Sequence, residues 1–194
     1  MFALTADGTT VVIDPFNDDI GYPRPAVAPA AVVVSHEHFD HNNVQLVGGA
    51  PRVIRGLRDE GKDWATVDER VGPFRITGVA TYHDDQQGAA RGKNTITIFE
   101  AEGLRVVHCG DLGHPLSDEQ ARAVGTPDVL MVPVGAMVVT VAFLRGGSPF
   151  CAKTLWSKLG KGPRSRARAS EARTASSEMN FMSLRPRSTA SWES

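Results

Sequence analysis

Short apolar runs separated by polar, turn-rich segments organise the chain. Residues 2–4 and 10–13, divided by Ala6-Asp7-Gly8, predict a hairpin with a glycine turn, and Asp14-Pro15 ends its second strand. Residues 30–34, Ala-Ala-Val-Val-Val, hold no polar position, which predicts a buried strand bounded upstream by Pro23, Pro25 and Pro29. Asn42 or Asn43 is expected to cap a short helix through Val47, stopped by Gly48-Gly49, and residues 51–54 then read as a short strand. Residues 55–64 are polar and read as loop or frayed helix. Strands are predicted at 65–67 and 74–80 around Gly72-Pro73, and the second delivers His83 at its end.

Residues 95–99 alternate and pair naturally with 104–108 across Glu100-Ala101-Glu102-Gly103, a further hairpin. Ser117-Asp118-Glu119-Gln120 has capping-box spacing, so Ser117 should start a helix to about Val124, with Gly125 as its stop. Residues 128–135 predict a late strand. The apolar run 129–144 is broken by Pro133 and Gly135 and is too short for a bilayer span, so no membrane partner is expected.

At 194 residues and 41% apolar, the chain has a one-domain length with enough material for a core. The formal charge of −1 hides an asymmetry: residues 1–135 hold 11 Lys+Arg against 19 Asp+Glu, while the remaining 59 hold 10 against 3. Such a basic segment either is a nucleic-acid arm or has another origin. Two cysteines, Cys109 and Cys151, are too few for a disulfide framework, and the first residues lack a signal peptide's charged and apolar regions, so a cytoplasmic location is expected.

Three of the six histidines fall in His36-Glu37-His38-Phe39-Asp40-His41, directly after the apolar run at 30–34. Side chains two apart on extended backbone share a side, so His36 and His38 can reach one metal while Asp40 and His41 aim elsewhere. This N/O donor set suits Zn²⁺ and tolerates Mn²⁺ or Fe²⁺. His83 and Asp111 each follow a predicted strand. Without further context they read equally as a structural histidine and a turn aspartate. His108 points along a strand and is expected to be structural, and His114 could face the pocket or cap the next turn.

His36-x-His38-x-Asp40-His41 after a hydrophobic strand resembles the signature of the metallo-β-lactamase fold superfamily. With Val11-Val12-Ile13-Asp14-Pro15-Phe16 upstream, and Tyr82-His83-Asp84 and His108-Cys109-Gly110-Asp111-Leu112-Gly113 downstream, the chain is most similar to the Zn-dependent hydrolase branch that includes ascorbate-6-phosphate lactonase. The likeness covers about residues 2 to 135. It implies an α/β (α+β) fold, a four-layer αββα sandwich incomplete here at both ends, with residues 1–135 as the metal-hydrolase domain. It also implies two Zn ions. His36, His38 and His83 would hold one, and Asp40, His41 and Asp111 would hold or share the other, with Asp111 bridging. Asp40 is implied as catalytic, either ligand, proton acceptor or both. Asp14 would lie beneath the loop and orient it, the alternative being a strand-end aspartate in a turn. In this fold the insertion at 86–93 borders the site mouth, where Arg91 or Lys93 could meet an anionic substrate, unless the segment is only a solvated loop.

The family pattern next requires a final histidine, but none follows His114. Residues 136–194 turn instead to Ser, Arg and Ala, with Arg164-Ser165-Arg166-Ala167-Arg168, and are expected to be a disordered basic tail or the product of a frameshifted coding sequence. The expected function is metal-dependent hydrolysis of an ester-like bond, a lactone or similar, on a small-molecule substrate. One alternative is a phosphodiesterase or nuclease, with nucleic acid as partner only if the basic tail is genuine. The other is an inactive metal-binding remnant.

Overall fold

The computed structural model describes residues 1–135, 138–143 and 180–184. Strand β1 (Phe2–Ala6) folds back on β2 (Thr9–Ile13) through Asp7 and Gly8, both at positive φ. Next, β3 (Ala31–Val34) joins β2 in parallel and β4 (Arg52–Arg55) joins β3 in parallel. All four residues of β3 are buried, as a strand flanked on both sides and covered on both faces requires. The long connections that parallel pairing demands are residues 14–30 and 35–51, and the second contains the histidine cluster.

The predicted loop or frayed helix at 55–64 is instead a small hairpin. It consists of β5 (Leu57–Arg58) and β6 (Asp63–Trp64) around a 3₁₀ turn at Asp59–Gly61. Buried Leu57 and the Arg58–Asp63 ion pair at 2.5 Å hold it. The helix expected from Asn42 or Asn43 shrinks to one 3₁₀ turn, Val44–Leu46, because Asn43 makes no capping bond and the Asn42 amide is spent on the Glu37 carbonyl.

The second sheet contains β7 (Asp68–Val71), β8 (Phe74–Tyr82), β9 (Lys93–Ala101), β10 (Leu104–His108), β11 (Val129–Gly135) and β12 (Val138–Phe143), in the order β12-β11-β10-β9-β8-β7. The strand expected at 65–67 lies three residues later, at Asp68-Glu69-Arg70-Val71. Its charges suit an edge position, with Asp68 paired to Arg75 and Glu69 to Arg52. The crossover between parallel β10 and β11 contains α1 (Asp118–Val124), whose capping box is formed by Ser117 and Gln120. Finally, β13 (Asn180–Leu184) pairs in parallel with β1, so the first sheet runs β13-β1-β2-β3-β4. Both β12 and β13 come from the stretch expected to be a tail; the rest of 136–194 lies outside the described residues.

The two sheets bury one another. Leu4, Val11, Ile13 and Val33 of the first meet Phe74, Ile76, Phe99, Val106 and Met131 of the second, each large apolar side chain contributing about 1.5–3 kcal/mol. Outside the second sheet, Val124 of α1, Leu112 and Leu116 cover Ile96, Ile98 and Val107. Outside the first, Val44 and Val47 pack on Val12, Val32 and Val34. The expected sandwich is thus present in its two sheets, while among the described residues its helical layers amount to α1 and three 3₁₀ turns. None of these helices is long and apolar enough to cross a membrane.

Candidate metal centre

β3 ends where the two sheets come together. The Ser35 carbonyl accepts a hydrogen bond from Thr95 of β9 at 3.1 Å, which ties the start of the histidine loop to the second sheet. Glu37, between the first two histidines, faces away from them. Both of its carboxylate oxygens accept from Arg55 Nη1, at 2.9 and 2.6 Å, and its carbonyl accepts from Asn42 at 3.1 Å. So held, the loop gathers its imidazoles around His36: ring centroids lie 4.6 Å away for His38, 4.4 Å for His41 and 5.2 Å for His83.

Beneath them Asp14 adopts the left-handed conformation (φ 48°) with its carboxylate fully buried. Oδ1 accepts the Ser35 N–H and Oδ2 the Ser35 hydroxyl, both at 2.7 Å, and Oδ2 also meets His41 Nδ1 at 3.1 Å. Burial alone would raise the Asp14 pKa, but the His41 bond and the nearby imidazoles hold it well below the usual carboxylate range. An ionised carboxylate only accepts, so His41 must carry its proton on Nδ1. The Ser35 hydroxyl spends its single proton on Asp14, so at the 2.9 Å contact with His36 Nδ1 it must accept. His36, kept neutral, therefore presents an unprotonated Nε2 to the site, and His41 does so in its neutral form.

The second sheet contributes His83, after β8, and Asp111, after β10. Asp111 Oδ2 stands 3.0 Å from His83 Nε2, 3.7 Å from His41 Nε2 and 3.9 Å from His36 Nε2. Asp40 Oδ2 lies 3.7 Å from His41 Nε2 on the open side. Buried Asn94 fixes Asp111: its Oδ1 accepts the Asp111 N–H at 3.0 Å, while its Nδ2 donates to Thr81 Oγ1 and the Cys109 carbonyl. Gly110, at φ 55°, makes this approach possible, since a Cβ there would collide with Asn94 Oδ1 and Ser35 Oγ.

Burial, then the neighbouring His41 charge, pushes His36 down to about 3 and keeps it neutral. Burial opposes charge on His41 and His83 too. There the hydrogen bonds to Asp14 and Asp111, respectively, prevail and raise the pKa.

All six residues singled out in the sequence thus converge. Donor atoms of His36, His38 and His83 lie within 4.8 Å of one another, as do those of Asp14, His36 and His41. Asp14, with three hydrogen bonds already on its two oxygens, orients the others. His36 Nε2 and His83 Nδ1 are buried without a hydrogen-bond partner. Native interiors rarely tolerate that, and it fits donors awaiting a cation. His108 and His114 stay outside the cluster. His108 is buried against Phe2 and accepts the Gly110 N–H, and His114 Nε2 accepts the Tyr82 N–H at 3.0 Å.

Sequence reasoning missed Ser35, Asn94 and Asp84. Asp84 follows His83 and accepts four main-chain N–H groups of residues 86–91. Burial alone would raise its pKa, but these donors lower it.

Comparison with known proteins gives four similarities of one kind. A family model described as the beta-lactamase superfamily domain matches residues 1–145. A metal-dependent hydrolase of Thermoplasma acidophilum is 24% identical over 143 residues, 64% of this chain and 63% of that protein. One of Staphylococcus carnosus is 28% identical over 155 residues, 67% of each. A solved structure from Thermotoga maritima, described as a Zn-dependent hydrolase of the metallo-β-lactamase superfamily, superposes with a TM-score of 0.51 at 36% identity, over 70% of this chain and 57% of that one. The chain spans less than two thirds of the first curated relative and of that structure.

Proposed function

The chain belongs to the beta-lactamase superfamily domain family, and from that premise we propose that it is a metal-dependent hydrolase that cleaves an ester-like bond, a lactone or similar, in a small molecule. The observation that carries this reading is Asp111 Oδ2 set among three imidazole Nε2 atoms, one of them buried and unpartnered. His36, His38 and His83 would hold one ion, and Asp40, His41 and Asp111 would hold or share a second. Zn suits these donors, and Mn or Fe is compatible with them. When bound, such ions polarise the scissile group and acidify water for attack.

The chain's own residues supply the rest. Asp14 and Ser35 fix the His36 and His41 tautomers, and Asn94 fixes Asp111. Asp40 Oδ2 would accept the proton given up by the attacking water, help hold the second ion, or do both. The relatives' descriptions as metal- or Zn-dependent hydrolases support the class of chemistry; the ester-like bond rests on the likeness to the lactonase branch. We infer a cytoplasmic setting from the low cysteine count, two in the chain; burial pushes the Cys109 thiol up to about 12.

A second reading, a phosphodiesterase or nuclease, is favoured by the surplus of 10 Lys+Arg over 3 Asp+Glu in residues 136–194. It requires nucleic-acid binding that weakens with salt and vanishes when 136–194 are deleted.

Elemental analysis of the gently purified full chain, with His36→Ala as control, tests the first reading. About two Zn per chain, lost in the variant and accompanied by ester turnover, is expected for a two-ion hydrolase. One ion or none, without turnover, would mark an impaired remnant lacking the final histidine.

A further inference from the structure

The loop after β8 is built more firmly than a surface connection needs. Asp84, next to His83 and only 8% exposed, takes the N–H groups of Gln86 and Gly88 on Oδ1, both at 2.8 Å. On Oδ2 it takes those of Ala90 at 3.1 Å and Arg91 at 2.6 Å. The loop closes on the same histidine from its far side, where His83 N–H donates to the Gly92 carbonyl at 3.0 Å. Bonds to an ionised acceptor are roughly twice as strong as neutral ones, so this clamp fixes the main chain of Arg91 beside the candidate ligand His83.

The Arg91 side chain is exposed, and its guanidinium makes no hydrogen bond or ion pair among the described residues. Neighbouring cations are already engaged. Lys93 donates to the Lys62 carbonyl at 2.6 Å, reaches Asp63 at 3.3 Å and lies 4.0 Å over the Trp64 ring. Arg55 is held by Glu37. Arg91 thus has a clamped main chain and an unpaired, exposed guanidinium, and it stands one residue from the Gly92 carbonyl that holds His83, beside a site that also carries Asp40 and Asp111, two carboxylates that repel anions.

We propose that Arg91 determines specificity by binding an oxyanion, carboxylate or phosphate, carried by the substrate beside the bond that is cut, and that Asp84 is the positioning residue that holds it there. The guanidinium fork matches either group bidentately. This rests on the hydrolase reading above but is testable apart from it.

The metal-free full chain is titrated with inorganic phosphate and, separately, with succinate, by calorimetry. Arg91→Ala should weaken at least one anion about tenfold, with Arg91→Lys between; loss confined to phosphate identifies a phosphate-bearing substrate, loss confined to succinate a carboxylate. Equal affinities in wild type and Arg91→Ala for both anions would overturn the proposal. Asp84→Asn should weaken the same anion, and a lowered melting temperature with unchanged anion affinity would make Asp84 structural only. On the metal-loaded chain, the ratio of kcat/KM for p-nitrophenyl hemisuccinate over p-nitrophenyl acetate should fall about tenfold in Arg91→Ala if a carboxylate is read. Failure of the wild type to cleave either ester counts against the hydrolase reading, while the anion titration still decides the role of Arg91.

Discussion

His41 donates its Nδ1 proton to Asp14 Oδ2 across 3.1 Å, and this bond decides which nitrogen of His41 faces the site. Asp14→Asn would set an amide donor against the Ser35 hydroxyl or His41, and both tautomers would lose their fixed assignment. Metal affinity is expected to fall about 10–100-fold, measured by competition with a chromophoric chelator. An unchanged affinity would reduce Asp14 to a strand-end turn residue.

Asp40 can be a proton acceptor, a ligand, or both, and one variant separates these roles. If it only accepts the proton, Asp40→Asn lowers kcat by about 10²–10⁴-fold with metal content retained. Loss of an ion from the same variant in elemental analysis would show that Asp40 ligates.

His108 ties stability to pH. Burial pushes its pKa from 6.5 down to about 4. Between those values the unfolded chain binds the proton and the folded chain does not. Stability contributed by neutral His108 is therefore lost as pH falls through this window, by up to about 1.4 kcal/mol per pH unit. His41 and His83, with raised pKa values, act with the opposite sign: their contribution is full below 6.5 and fades as pH rises through the folded values. His108→Gln isolates the first effect. Urea unfolding of the metal-free chain between pH 4 and 6.5 should lose less stability in acid in the variant than in wild type, and parallel pH curves would contradict the assignment.

Much of this arrangement was legible in the sequence because its signals are local. The polar-free run at 30–34, the spacing of His36, His38, Asp40 and His41, the Gly8 turn and the Ser117–Gln120 box each depend on residues a few positions apart. Of the supporting residues, Asp14 was legible only through the family resemblance and Asn94 not at all. Asp14 reaches Ser35 across 21 positions, and Asn94 reaches Asp111 across 17, so no short-range pattern announces them. Asp84 sits beside a predicted site residue, yet its role appears only once the loop has curled around it. β7 was misplaced because an edge strand tolerates charge, and the 55–64 hairpin because its two-residue strands are too short for any period to register.

Gly110→Ala tests the close approach that brings Asp111 into place. A side chain at φ 55° would be strained and would press on Asn94 and Ser35. Together these should cost at least about 1–3 kcal/mol in urea unfolding and lower metal occupancy. Wild-type stability would mean that the loop has slack this geometry does not show.

His36 and His38 hang from the end of β3 in one sheet, His83 and Asp111 from the ends of β8 and β10 in the other. A cation seated among them would rivet the two layers together. Shear between the sheets would then have to break ligand bonds as well as the Ser35–Thr95 hydrogen bond that already joins them. Loading the site would make the two halves of the sandwich lose their amide protons to solvent in step, joining into one mechanical body what the hydrophobic core merely holds face to face.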